Sequence, residues 1–222
     1  MLKKPGLHHA LLKTLTLLLL AASSACQLLN KQVPMRKESA ISPADVYESI
    51  DDRNLIAQYH NNLENIYDHV RDRYKVSQLE FFMISGICFR KLQIKKRFDT
   101  YLSLNTRTYE LFLNNKTDYE QRLSIVFDHY LKPLLKIAAE EKEILQDINI
   151  AGIIISTQWK VKNPLKGEYE MILQEEVSLV TLKEQISKYM NGEMTDQELL
   201  DRSTLIVINE DETPRIIKLI LK

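Results

Sequence analysis

Glycine is scarce in this chain, five in 222 residues. Neither the dinucleotide fingerprint nor the P-loop pattern occurs, so the common glycine-built phosphate cradles are excluded. Cysteine is scarcer still, with Cys26 and Cys88 alone, which rules out a disulfide framework and zinc sites made of paired cysteines. Excess charge is also missing. Thirty basic residues face thirty acidic ones, and a dedicated nucleic-acid binder normally carries a basic surplus that displaces phosphate counterions. Among the histidines no His-x-x-x-His pair is found, and no Gly-x-Ser-x-Gly elbow marks a nucleophile. No internal repeat and no low-complexity tract is present.

What is present begins at the N-terminus. Lys3 and Lys4 precede an apolar stretch whose clean core, Leu15 to Ala22, is far shorter than the ~20 residues that cross a bilayer. A basic start, a leucine-rich middle and the small residues Ala21-Ala22-Ser23-Ser24-Ala25 make up a secretory signal peptide over residues 1–25. Residues 26–41 are polar, contain Pro34 and show no apolar period, as a tether would.

Ser24-Ala25-Cys26 resembles the end of a bacterial lipobox, the mark of the bacterial lipoproteins. The resemblance implies that Cys26 receives diacylglycerol and becomes the mature N-terminus, so that the protein meets a membrane through its lipid. Gln27 stands where inner-membrane retention would use aspartate, which by the same resemblance implies an outer-membrane lipoprotein facing the periplasm. Ordinary signal peptidase cleavage is the alternative, because Ser23-x-Ala25 fits the small-x-small rule at the same bond. With Cys26 acylated, Cys88 has no cysteine to pair with. Its apolar surroundings predict a buried, inert thiol.

Helix-start patterns follow. Five Ser or Thr residues that precede an acid by three residues are taken as helix starts: Ser42/Asp45, Ser77/Glu80, Thr117/Glu120, Thr181/Glu184 and Thr195/Glu198. Read as capping boxes, these predict helices over 43–74, 78–104 and 118–145, with a short one over 106–114. Pro133 predicts a kink near Tyr130. After Asp147 the period changes to two, and β-branched residues predict strands over 148–161, 169–180, 204–208 and 216–221, with two helices between the middle pair. The expected fold is therefore α+β: an antiparallel helical bundle in a helical region 42–146, then a four-stranded antiparallel sheet with two short helices in an α+β sheet region 147–222.

The residues offer little chemistry. Arg90, Lys91, Lys95, Lys96 and Arg97 form the densest group of charge, a candidate contact for anionic headgroups or acidic glycans, or else a solvated helix face. Glu64, Asp68, His69 and Asp72 share helical spacing and could hold a cation, but match an ordinary charged face better. No metal and no cofactor is expected. The reading is a lipid-anchored cell-envelope protein with a structural or interaction role, whose partner is another envelope protein or a glycan rather than a nucleic acid. The alternatives are a periplasmic hydrolase that assembles dispersed residues such as His69 and His129 by folding, and a carrier of an apolar ligand.

Overall fold

Residues 87–113 carry the pattern that organises the molecule. Ile87, Phe89, Leu102, Leu104, Thr106 and Thr108 alternate with Cys88, Arg90, Tyr101, Ser103, Asn105 and Arg107, a period of two that sends successive side chains to opposite faces of a sheet. The structure, a computed structural model, describes residues 36–94, 97–163, 171–208 and 213–221, all within one compact unit, Met35–Lys222.

A short helix α1 (Lys37–Ala40) and a 3₁₀ turn (Ala44–Val46) lead into α2 (Ile50–Gln58) and α3 (His60–Arg73). Then come β1 (Leu79–Phe81), β2 (Ile87–Ile94) and the long β3 (Arg97–Leu113). Helix α4 (Tyr119–Val126), a π turn (Phe127–Leu131), α5 (Lys132–Glu140) and α6 (Lys142–Gln146) cross back to β4 (Ile150–Asn163). The chain ends in β5 (Met171–Leu182), α7 (Lys183–Met190), α8 (Asp196–Arg202), β6 (Thr204–Ile208) and β7 (Pro214–Ile217). All seven strands form one sheet in the order β1-β3-β4-β5-β6-β7, with β2 beside β1 on the same edge of β3. Only β3 and β4 run parallel, and the helical crossover between them is what a parallel pair requires.

The expected helical bundle followed by a four-stranded sheet is thus incorrect. Residues 79–113 are three strands of the same mixed sheet that holds residues 150–217. The physical reason lies in the capping patterns, of which only Thr195/Glu198 forms the box it spells. Ser77/Glu80 opens a strand, and Thr181 turns its hydroxyl to Ser203 Oγ at 2.9 Å from inside β5. Ser42 donates to the Ile84 carbonyl. The box at Thr117 is displaced by one residue, with Asp118 and Gln121 as its members. In the C-terminal half the elements follow the order strand, strand, helix, helix, strand, strand.

The helices cover one face of the sheet. Leu63, Ile66 and Val70 of α3, Leu134 and Ala138 of α5, and Leu199 of α8 pack with Leu104, Ile153, Ile155, Trp159, Val177 and Leu205, all buried in one apolar cluster. A full Leu or Ile side chain taken from water contributes roughly 1.5–3 kcal/mol, so this layer dominates stability. A single ion pair is sunk in it. Arg122 of α4 donates to both carboxylate oxygens of Glu175 in β5, at 3.0 and 2.6 Å, and Trp159 Nε1 donates to the same carboxylate at 2.8 Å. Both partners are buried, so the fork-on-fork geometry and the indole donor offset a desolvation cost that an unpaired charge could not bear.

The opposite face carries a second, smaller cluster made of strand residues alone: Tyr101, Ile154 and Val180, with Leu92, Ala151 and Ile206 packed against it. Cys88 lies on this face opposite Ser103 in the ladder. It is buried and free, as the sequence implies, but its neighbours are polar: Ser85 O at 3.7 Å and Asn105 Nδ2 at 3.6 Å. Burial pushes the thiol's pKa up.

Candidate functional site

Of the group Arg90, Lys91, Lys95, Lys96 and Arg97, the described members lie in β2 and at the start of β3 rather than on a helix. Strand alternation divides it. Lys91 points to the helix side and pairs with Asp52 of α2 at 3.0 Å, while Arg90 lies on the other face, opposite Tyr101. Lys95 and Lys96 lie outside the described residues, as does Cys26, and Arg97 is described in its backbone only. The acidic positions on α3 find separate partners: Asp68 pairs with Lys37 at 2.6 Å, His60 with Glu64 at 3.5 Å, and His69 with Glu140 at 3.6 Å. Among the described residues no three His, Cys, Asp or Glu side chains gather as metal ligands.

Two clefts remain. The first, about 680 Å³, opens where α2 meets the starts of β3 and β4. Asp51, Asp52 and Asp99 line it together with Lys91 and Lys183, and the exposed Phe98 and Ile148 stand in its walls. Asp52 Oδ1 is buried there without a hydrogen-bond partner.

The second cleft, about 590 Å³, has the more organised chemistry. It forms where the π turn meets β3, and Pro133 explains its position. Proline has no N–H, so the carbonyl four residues earlier, on His129, loses its helical donor. Tyr74, at the end of α3, supplies the missing proton through its hydroxyl. The Tyr74 ring stacks on Tyr130 at 5.7 Å, and burial raises the Tyr130 hydroxyl to a pKa of about 12, so it stays protonated. With the backbone held in this way, the His129 imidazole stands over Glu110 of β3, Nδ1 to Oε1 at 3.4 Å. Both side chains are partly open to solvent, while Glu110 Oε2 is buried with no hydrogen-bond partner. Arg73 and Gln78 complete the rim.

Chemically, a carboxylate beside Nδ1 favours the tautomer that leaves Nε2 as a proton acceptor. That is a base with an orienting acid. Asp128, the sequence neighbour, has no part in it and instead binds Lys132 at 2.6 Å. His129 could be singled out in the sequence as a dispersed candidate; Glu110 could not, because it joins a strand to a helical turn.

The described surfaces thus include a polar cleft with a His–Glu pair, a charged cleft with two exposed apolar walls, and a sheet face on which no described helix packs. No described helix is long and apolar enough to cross a membrane. Comparison with protein-family models, with curated proteins and with solved structures gives no match to this chain.

Proposed function

We propose that the protein is a lipid-anchored component of the cell envelope that acts by binding another envelope component through the helix-free face of its sheet. The observation that carries this reading is the apolar edge of that face. Tyr101, Ile154 and Val180 at its centre are buried, the half-buried Leu92, Ala151 and Ile206 border them, and Ile216, the ladder partner of Ile206, is 76% exposed. Arg107, Gln158 and Glu176 flank the edge with polar groups. An apolar edge with a polar border is the composition of a binding surface. The anchor rests on Ser24-Ala25-Cys26 and the polar segment behind it.

Site-specific photocrosslinking in intact cells tests the surface. A crosslinker at Ile216 should give one dominant protein or glycan adduct, and one at Arg202, exposed at the end of α8, should give none. Adducts from Arg202 alone would reverse the reading. For the anchor, a fatty-acid analogue should label the wild type and not Cys26→Ala; an unlabelled wild type disproves lipidation.

A second reading is favoured by one observation, the His129–Glu110 pair above its cleft. Here His129 would draw a proton from water attacking an ester or amide. Hydrolysis of a chromogenic ester by the purified protein, abolished in His129→Gln and reduced in Glu110→Gln, supports it; equal rates in all three forms remove it.

A further inference from the structure

We propose that the loop at residues 82–86 is a membrane-contacting tip that sets Met83 and Ile84 into the headgroup boundary of the phospholipid leaflet receiving the acyl chains of Cys26. The proposal rests on the lipid-anchor reading and adds to it a fixed orientation of the folded domain on the membrane.

Met83 and Ile84 are adjacent, apolar and exposed at 65% and 53%. Ile84 is held at φ 66°, and it alone among the described non-glycine residues has a positive φ. A β-branched side chain in the left-handed region is a true outlier, a conformation that glycine would take freely. The loop nevertheless keeps isoleucine there and turns it outward. Strain of this kind persists only where the surroundings impose it. Here they do: Ile84 N donates to Ser39 O at 2.7 Å, and the Ser42 hydroxyl donates to Ile84 O. Behind the tip, Gly86 permits close packing, since a Cβ there would come within 2.6 Å of the Phe82 carbonyl and 2.9 Å of the Ala40 carbonyl.

Those bonds tie the tip to the segment that leads back to the anchor. Ser39 follows Cys26 by thirteen residues, and a fully extended chain of that length reaches at most about 45 Å. A domain on so short a lead stays beside the membrane, with residues 39–42 and the tip at its anchored end.

The tie to residues 39–42 distinguishes this tip from the exposed Phe98 and Ile148, which line the cleft with Asp51, Asp52, Asp99, Lys91 and Lys183. Arg36 is exposed three residues before Ser39, and Arg107 lies over the Phe82 ring at 5.2 Å, cations that an anionic leaflet attracts.

The test uses the acylated full-length protein, purified from membranes and reconstituted into phosphatidylethanolamine–phosphatidylglycerol vesicles. Met83→Cys is labelled with an environment-sensitive fluorophore, and Ile148→Cys serves as the control; the buried Cys88 and acylated Cys26 stay unlabelled. Expected is a blue-shifted emission at position 83 that loses most of its intensity when the lipids carry a shallow nitroxide, with no such loss at 148. If the protein is acylated and position 83 is as wet as 148, the tip is disproved and the anchor stands. If mass spectrometry finds no acyl group on Cys26, both fall.

Discussion

Where the helices lie, the sheet presents Leu104, Ile155, Trp159 and Val177; one residue along the same strands, the other face presents Ser103, Ser156, Gln158 and Ser178. Polar groups occur on both, but under different terms. Beneath the helices Thr106 pairs with Thr157 at 3.0 Å and Arg122 with Glu175 inside the apolar layer, while Glu110 Oε2 is left without a partner. On the other face Ser156 and Ser178 share a bond at 2.7 Å, and Gln158 and Glu176 another, near the surface. The difference teaches that the helix layer, more than the strand ladder, sets what a substitution in this sheet costs.

The strongest way to break that comparison is at Glu175 and Glu176, neighbours on one strand with opposite directions. Glu175→Ala leaves the Arg122 guanidinium buried without its anion and should lower unfolding free energy by about 3–5 kcal/mol in urea titration. Glu176→Ala should stay within about 0.5 kcal/mol, as surface changes do. Equal losses would mean that the helix-free face is as dry as the core. Next in size, Leu104→Ala opens a cavity under α3 and should cost about 2–5 kcal/mol, well above the loss from Ser103→Ala beside it.

A smaller effect sharpens the picture of the helix layer. Tyr74→Phe removes the donor to the His129 carbonyl and should cost about 1 kcal/mol. Because that donor replaces the N–H that Pro133 lacks, the loss should shrink in a Pro133→Ala background. A cycle with no coupling would break this account of the π turn. The smallest effect concerns Asp196 at the rim of the layer. Burial acts to raise its pKa, but bonds from the Tyr189 hydroxyl and Lys132 hold it below the ordinary carboxylate value. A lowered folded pKa gives stability that is complete above the unfolded value and is lost as pH falls through the folded one. Asp196→Asn should therefore lower the melting temperature slightly at neutral pH and flatten its fall below pH 4, so that the two proteins converge at acid pH.

The two halves of the sheet were not equally legible. Residues 150–161 are dense in isoleucine and valine, so strand is the one reading that fits. Residues 78–113 fit both periods, because Phe81, Phe82, Met83 and Ile84 are apolar in succession and the basic residues after Cys88 obscure the alternation. Ser and Thr then misled, since their hydroxyls serve strands and turns as readily as helix caps. Burial of Cys88 was readable from its apolar flanks, whereas its polar neighbours are Ser85, three residues earlier, and Asn105 on β3, which the local sequence does not reveal. The His129–Glu110 pair was out of reach for the same reason, because nothing in either residue's local sequence points to the other.

The parallel pairing of β3 with β4 also carries a kinetic consequence. Thr106 and Ser156, bonded across β3 and β4, are fifty residues apart in sequence. Closing so long a loop comes before the contacts that reward it, and topologies of this kind fold slowly. Until β4 emerges, β3 has one open edge, and most of the apolar side chains on its helix side have nothing to pack on. A nascent chain of this protein therefore cannot complete its sheet until well over half of it exists, a long window in which a chaperone can hold it extended.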